Sequence, residues 1–211
     1  GNGYHNRAQI YSKASGTQSI ATGGNLVLNA GDAGHDNQSS IYAYGGTQTV
    51  EVGGSIAAYG GLGGYDNKAY IGLDTAGATQ SVEGSGILLQ GGAGAGAYNN
   101  SASIYNSGVG TQDIVLTGNV ATLALIAGSG TGTGGGLPDT CVPSPSACAS
   151  LAASNGASIT ARGAGQTVSF LYGGGALTLT GGAGGLNNQA LIYNAGTGPQ
   201  EIIGGPNITL T

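Results

Sequence analysis

Carboxylates and histidines are the side chains through which this 211-residue chain would carry acid–base or metal chemistry. The nine acidic residues are spread along the sequence: Asp32, Asp36, Glu51, Asp66, Asp74, Glu83, Asp113, Asp139 and Glu201. Glycoside hydrolysis needs two carboxyl groups that face each other across the substrate, and other acid–base sites need a comparable cluster. Asp36 and Asp66 occupy equivalent positions in GHDNQSSIY (34–42) and GYDNKAYIG (64–72), but two stacked carboxylates make a poor active site. We therefore predict no catalytic residues and no enzyme activity.

A metal site is also weakly supported by the sequence. Asp36 and Asp66, with Asn67 beside them, are the best candidates for loose Ca²⁺ binding, which needs several oxygen ligands. His5 and His35 are offset by one position within the similar segments, so we interpret both as surface residues. We predict solvated turn residues at these positions, with no metal ligands and no cofactor.

The composition excludes two classes of function. Only 6% of the residues are charged, four residues are basic, and the formal net charge is −5. Because a nucleic-acid binder needs Lys and Arg to displace counterions from phosphates, we expect no nucleic-acid partner. No apolar run approaches the roughly 18 residues that span a bilayer, so we expect no membrane insertion. The chain contains 46 glycines, but its periodic hydrophobic residues favour an ordered fold over disorder.

The elements that must position these side chains come from an internal repeat. The opening motif GYHNRAQIY (3–11) returns five more times, most weakly as AASNGASIT (152–160). Its asparagine recurs at intervals of 31, 30, 33, 55 and 33 residues, at Asn6, Asn37, Asn67, Asn100, Asn155 and Asn188. A second motif, such as GTQSI or GTQTV, contains Gln18, Gln48, Gln80, Gln112, Gln166 and Gln200. A third motif, such as GNLVLNAG or GALTLTGG, completes each repeat.

Each motif predicts a short β-strand with alternating faces, bounded by glycine-rich corners. Three strands per repeat predict a single-stranded β-solenoid (β-helix), an all-β single domain over residues 1–211 with about six coils of 30–33 residues. A lone coil cannot bury its apolar face, whereas stacked coils share one core, which explains the repetition. The inward columns would hold Ile10, Ile41, Ile71, Ile104, Ile159 and Ile192, and Ile20, Val50, Val82, Ile114, Val168 and Ile202.

Two polar columns accompany the apolar ones. Gln18 precedes Ile20 by two residues, so alternation points both side chains inward. Stacked amides can bond along a column, as Asn and Gln ladders do in cross-β structures. We predict that the six glutamines form such a structural ladder, with a binding role as the alternative. We assign the six asparagines to a corner column, because Asn tolerates left-handed turn geometry.

One interval of 55 residues interrupts the repeat and contains about 22 extra residues. We interpret residues 129–150 as an inserted Gly/Pro/Cys loop that is extruded from the stack. Cys141 and Cys148 lie close together in CVPSPSAC, and we predict that they form a disulfide in an oxidising compartment. Two free thiols in a surface loop remain the alternative.

Tyrosine provides the most unusual surface pattern. Four tyrosines occupy the same outward position in different repeats, with Gly72 and Thr160 in the intervening ones: Tyr11, Tyr42, Tyr105 and Tyr193. Such a stripe is a candidate surface contact for sugars or for another filament. A stabilising aromatic stack on an ordinary solenoid face is the simpler interpretation.

The segments GTQTVEVGGSIAAYGG (46–61) and GGGALTLTGGAGGLNNQALIYNAGTG (173–198) resemble the repeat region of filamentous-haemagglutinin-type exoproteins. These are large proteins that Gram-negative bacteria export by two-partner secretion. The resemblance covers the chain outside the cysteine loop. It implies a right-handed β-helix, an extracellular or cell-surface location and a role as an adhesin shaft or surface fibre. It supplies no catalytic residues.

Two interpretations of function remain open. The first is a structural fibre or adhesin shaft, and the second is a carbohydrate-binding or polysaccharide-degrading β-helix with host or matrix glycans as partners. Placing the final PNITLT before the initial GNGYHNRAQIY reproduces the motifs of residues 177–193 in order. We therefore predict that the coils continue head to tail into a second copy or into a tandem chain.

Overall fold

The computed structural model describes residues 4–13, 15–74, 78–94, 97, 99–130, 155–183 and 188–211. Within these ranges the protein is all-β, and its strands form three parallel sheets whose coils stack into a β-solenoid. The predicted fold class is therefore confirmed. No helix in the described ranges is long and apolar enough to cross a membrane.

Each coil contributes one strand to each sheet, and the strands are numbered in chain order. The first sheet contains β1 (Arg7–Ser12), β4 (Gln38–Ala43), β7 (Lys68–Leu73), β10 (Ser101–Asn106), β13 (Ala157–Ala161) and β16 (Ala190–Asn194). The second contains β2 (Gln18–Thr22), β5 (Gln48–Val52), β8 (Gln80–Gly84), β11 (Thr111–Leu116), β14 (Gly165–Phe170) and β17 (Gln200–Ile203). The third contains β3 (Leu26–Asn29), β6 (Ile56–Tyr59), β9 (Ile87–Gln90), β12 (Thr122–Ile126), β15 (Ala176–Thr180) and β18 (Asn207–Leu210).

The strand register places equivalent residues of the repeat directly above one another. Ile10 pairs with Ile41, Ile41 with Ile71, and Ile71 with Ile104, and the column continues to Ile159 and Ile192. A slip of one residue would turn every apolar side chain to the opposite face, so the alternating pattern fixes this register. The repeated motifs therefore determine the stacking.

Burial of the core depends on neighbouring coils. Ile41 is 1% exposed in the second coil, whereas the equivalent Ile10 is 50% exposed in the first coil. Full burial of such a side chain stabilises the fold by about 1.5–3 kcal/mol. A side chain of an interior coil reaches full burial because a neighbouring coil covers it on each side. The largest fully buried side chains are Ile41, Ile56, Ile71, Leu73, Ile87, Leu89, Ile104, Ile114, Leu116, Leu123, Leu125 and Ile159.

The corner before the first sheet corrects one expectation. The left-handed residue is not the asparagine but the residue before it, because φ is 55–57° at His5, Asp36, Asp66 and Asn99. The asparagines that follow point into the stack, and Asn37 is 1% exposed. The left-handed position is at least partly exposed and holds several polar residues, whereas the inward position holds an asparagine whose amide bonds to a neighbouring coil.

The predicted insertion falls largely outside the described residues. Cys141 and Cys148 belong to this part, and their disulfide stays a prediction. Ser129 and Gly130, at the start of the segment, contact the stack: Ser129 Oγ donates to the carbonyl oxygen of Ala93, and Gly130 is buried. Ser129 and Gly130 therefore lie against the stack, and the extruded loop stays a prediction for the rest of the segment.

Candidate functional site

The six predicted glutamines form a continuous ladder along the second sheet. From Gln48 onward, each Nε2 donates to the Oε1 of the glutamine one coil earlier. The distance is 2.8 Å from Gln48 to Gln18 and 2.6 Å from Gln200 to Gln166. Gln48, Gln80 and Gln112 are fully buried. The ladder has one direction: every amide donates towards the first coil.

A second bond ties the ladder amides from Gln18 to Gln166 to the first sheet. The Nε2 atom of Gln80 also donates to the carbonyl oxygen of Tyr105 at 2.9 Å, and Gln112 donates in the same way to Thr160 at 3.1 Å. Both amide hydrogens are thereby satisfied, which removes the cost of burying them. The ladder fixes the relative position of two sheets as well as the spacing of the coils.

The asparagine ladder runs in the opposite direction. Asn37 Nδ2 donates to Asn67 Oδ1 at 2.9 Å, so these amides donate towards the last coil. The backbone N–H groups of Asn67 and Asn100 bond in the same direction, to Oδ1 of Asn100 and Asn155. Asn188 occupies the last coil, where its Nδ2 donates to the carbonyl oxygen of Gly130 at 3.3 Å.

The outward face of the first sheet carries the tyrosines. Tyr11 and Tyr42 stack in parallel, with ring centroids 5.5 Å apart and 8° between the planes. The row continues through Tyr70, which meets Tyr42 edge to face at 6.2 Å and lies 5.6 Å from Tyr105. Tyr193 is separated from Tyr105 in the register by Thr160. The structure thus joins three of the four predicted tyrosines through a fifth one.

Sequence reasoning missed Tyr70, although a signal for it was present. Tyr70 precedes Gly72 by two residues, so both lie on the outward face. A Cβ atom at Gly72 would overlap the ring of Tyr105, which leans over this glycine. The gap that Gly72 leaves in the column therefore makes room for the rings of its neighbours.

Two of the packed tyrosines, Tyr42 and Tyr105, have a raised side-chain pKa. Desolvation by burial raises the pKa of Tyr42 above its usual range, and the hydrogen bond that its hydroxyl donates to Asp74 Oδ2 at 2.8 Å adds to the effect. Burial also raises the pKa of Tyr105, with the nearby Tyr70 as a smaller cause. Both phenols therefore stay neutral at physiological pH and present hydroxyl groups, not phenolates.

A groove of about 460 Å³ lies on this face beside Tyr70 and Tyr105. Its lining includes the serines of β10 and β13, Asp74 at the end of β7, and two cationic side chains, Lys68 and Arg162. The chain has only four basic residues, so half of them line this groove. Aromatic rings, hydroxyl groups and charges of both signs therefore line the same groove.

The two end coils form the second unusual surface. In the last coil, Ile202, Ile208 and Leu210 are exposed at 39%, 55% and 70%, although their register partners belong to the core columns. In the first coil, Ile10 is half exposed in the same way. The strands β1, β2 and β3 are edges at one end, and β16, β17 and β18 are edges at the other. Each end exposes a cross-section of the core and three strand edges.

Comparisons with known proteins add no further constraint. No protein-family model, no curated protein and no solved structure matches the chain. The similarity to haemagglutinin-type repeats is thus a resemblance of motifs. The function has to be inferred from the ladders, the tyrosine face and the end coils.

Proposed function

We propose that the protein is a structural shaft in which the coil stack continues head to tail into a second copy of the same chain. The observation that carries this proposal is the pair of end coils, in which Ile10, Ile208 and Leu210 expose side chains that belong to the core columns. Bare edges of β-sheets recruit other strands, and a contact between unlike ends does not close into a ring. The product of such contacts is a filament.

The polar ladders support the pairing of the last coil with the first. Gln200 presents its Oε1 atom beyond the last coil, because every earlier Oε1 in the ladder accepts from the following glutamine. Gln18 stands at the other end, where no earlier ladder glutamine accepts from its Nε2. The Nε2 atom of Gln18 donates to the carbonyl oxygens of Ile10 and Tyr42, and Oε1 of Gln200 would add a ladder bond there in the matching direction.

The apolar columns support the same pairing. Ile208 and Leu210 belong to the columns of Leu26 and Leu28, the core residues of β3. Stacking β18 on β3 would continue both columns and bury the four side chains. A contact between two like ends would oppose the parallel direction that all three sheets maintain.

We propose a location outside the cell or on the bacterial cell surface, and the resemblance of the motifs to filamentous-haemagglutinin-type repeats supports it. A rod of six coils spans about 29 Å at about 4.8 Å per coil, so a long projection requires many copies or many more coils. A low content of charge and a predicted disulfide agree with this location. We propose a stalk or fibre and no catalytic role.

Sedimentation velocity over a wide concentration range tests the proposal. We expect the chain to form species of increasing length as its concentration rises. Ile208→Glu should weaken this association at least about tenfold, because burying a charge against the next core costs more than the roughly 1.4 kcal/mol that corresponds to a tenfold change. Val120→Glu adds the same charge in the exposed turn before β12 and should leave the association unchanged.

Two results would contradict the proposed shaft. The first is a monomer at high concentration, and the second is association that both glutamate variants weaken equally. Circular dichroism of the two variants at low concentration verifies that each remains folded. Ile208 is half exposed in the last strand, so its replacement should preserve the fold of the other coils.

The groove beside Tyr70 and Tyr105 favours a second candidate function, the binding of an acidic glycan. Aromatic faces stack on sugar rings, and binding sites for small molecules combine such apolar surfaces with a few convergent polar groups. Lys68 and Arg162 supply positive charge in a chain of net charge −5, which favours a sugar with a carboxylate. With such a site, the shaft would act as an adhesin that binds glycans on the outward face of its first sheet.

Calorimetric titration with a uronic-acid oligosaccharide and with its neutral counterpart tests this second candidate. We expect tighter binding of the acidic sugar, a loss of that preference in Arg162→Gln, and a roughly tenfold or greater loss for both sugars in Tyr70→Ala. Tyr172→Ala removes an exposed tyrosine outside the groove and should bind normally. Equal losses in the Tyr70 and Tyr172 variants, or no binding by the unmodified chain, would reject a glycan site in the groove.

A further inference from the structure

Both histidines of the chain meet at one corner of the first two coils, beside Asp36. One ligand atom from each of His5, His35 and Asp36 lies within 4.8 Å of the other two. His35 Nδ1 is 2.8 Å from Asp36 Oδ2, and His5 Nδ1 is 3.5 Å from the same oxygen. We infer that this corner binds a divalent transition-metal ion and that Zn²⁺ fits its ligand set.

The distances agree with zinc coordination. Zinc binds imidazole nitrogen and carboxylate oxygen at about 2.0–2.2 Å in a tetrahedral arrangement, which separates two ligand atoms by about 3.3 Å. The two observed separations, 2.8 and 3.5 Å, lie on either side of this value. Three protein ligands leave a fourth position for water, and the exposed His5 keeps that position open to solvent.

The packing around His35 prepares this ligand for binding. Its ring lies between Tyr4, at a centroid distance of 4.2 Å, and Tyr65, at 4.6 Å with 11° between the planes. Parallel bridges connect the backbone of His35 to the same two tyrosines. The imidazole is therefore held with Nδ1 directed at Asp36, and little side-chain entropy is lost when an ion binds.

The repeat shows that the corner itself does not need histidine. Asp66 and Asn99 occupy the left-handed position of His5 and Asp36 in the next two coils, with nearly the same φ. There, Asn99 Nδ2 donates to Asp66 Oδ1 at 3.1 Å, and an amide satisfies the carboxylate. The left-handed backbone of this corner therefore forms without an imidazole side chain. The convergence of two imidazoles on Asp36 is therefore specific to the first two coils.

Titration calorimetry with ZnCl₂ tests the site on the untagged chain after Cys141 and Cys148 have been reduced and alkylated, so that thiols cannot bind zinc. We expect one ion per chain. His5→Gln and His35→Gln should each weaken binding about tenfold or more, since even outer-shell partners of metal ligands change affinity about 10–100-fold. Asp66→Asn alters the equivalent corner without touching the cluster and should bind zinc normally.

X-ray absorption of the zinc-loaded chain identifies the ligands directly. We expect a shell of nitrogen and oxygen that includes two imidazoles. No zinc binding by the unmodified chain, unchanged affinity in both histidine variants, or a shell without imidazole would each overturn the inference. Both measurements are performed on the Ile208→Glu variant, in which self-association is weakened. Their result therefore tests the zinc site separately from the proposed shaft.

Discussion

Replacing Gly64 by alanine is expected to destabilise the solenoid by roughly 3 kcal/mol or more. The backbone of Gly64 has a φ of +71°, a left-handed conformation that costs a residue with a Cβ atom roughly 1–2 kcal/mol. In addition, the new Cβ atom would overlap the carbonyl oxygen of Gly34 in the preceding coil. The obstacle is backbone and not the end of a flexible side chain, so the two coils would have to separate at this corner.

Urea unfolding measures this effect against a matched variant. Gly23→Ala places the same methyl group in the first coil, where no atom lies within 4 Å of the new Cβ and φ is outside the left-handed region. We expect a change within about 0.5 kcal/mol for this variant, as for surface substitutions in general. Similar midpoints for the two variants would show that the coils are not in the close contact described.

Replacing Gln112 by leucine is expected to have a comparable effect. The substitution removes the short bonds made by two buried amide groups, Gln80 Oε1 and Gln166 Nε2, and by the part-buried carbonyl oxygen of Thr160. A buried polar group without a partner costs about 1–3 kcal/mol, and leucine restores only part of the lost packing. We therefore expect a loss of roughly 3 kcal/mol or more in the free energy of unfolding.

The same substitution at the end of the ladder provides the control. Gln200 is exposed and donates one ladder bond, to Gln166. Gln200→Leu should therefore cost about 0.5–1.5 kcal/mol, the usual net value of a single hydrogen bond. If the two variants lost the same stability, the ladder would not act as a chain of mutually dependent buried bonds.

The sequence predicted the columns that follow from strict periodicity. Ile71 follows Asn67 by four residues, and Gln80 precedes Val82 by two, as the equivalent residues do in every repeat. Alternation along a strand then assigns these side chains to the inward face. The prediction of left-handed geometry at the asparagines was wrong, because the positive φ belongs to the variable residue before each one, such as Asp66 before Asn67. The asparagine repeats because its position is buried. The preceding residue, which has the positive φ, is partly exposed and differs from coil to coil.

The side-chain clusters required more than periodicity. Tyr70 lies outside the column of Tyr42 and Tyr105, and it joins them only because Gly72 leaves space for their rings. The histidine cluster combines His5 from one column with His35 from the adjacent one. Such contacts depend on side-chain rotamers and on the packing of rings from different coils. Aligning the repeated motifs does not predict either of these.

Cryo-electron microscopy of the chain at high concentration tests the central claim that the coil stack continues from one copy into the next. The account predicts filaments with an uninterrupted coil spacing of about 4.8 Å and an axial repeat of about 29 Å, with β18 of one copy stacked on β3 of the next. Isolated six-coil particles with both end coils in solvent, or filaments joined through the tyrosine face, would contradict it.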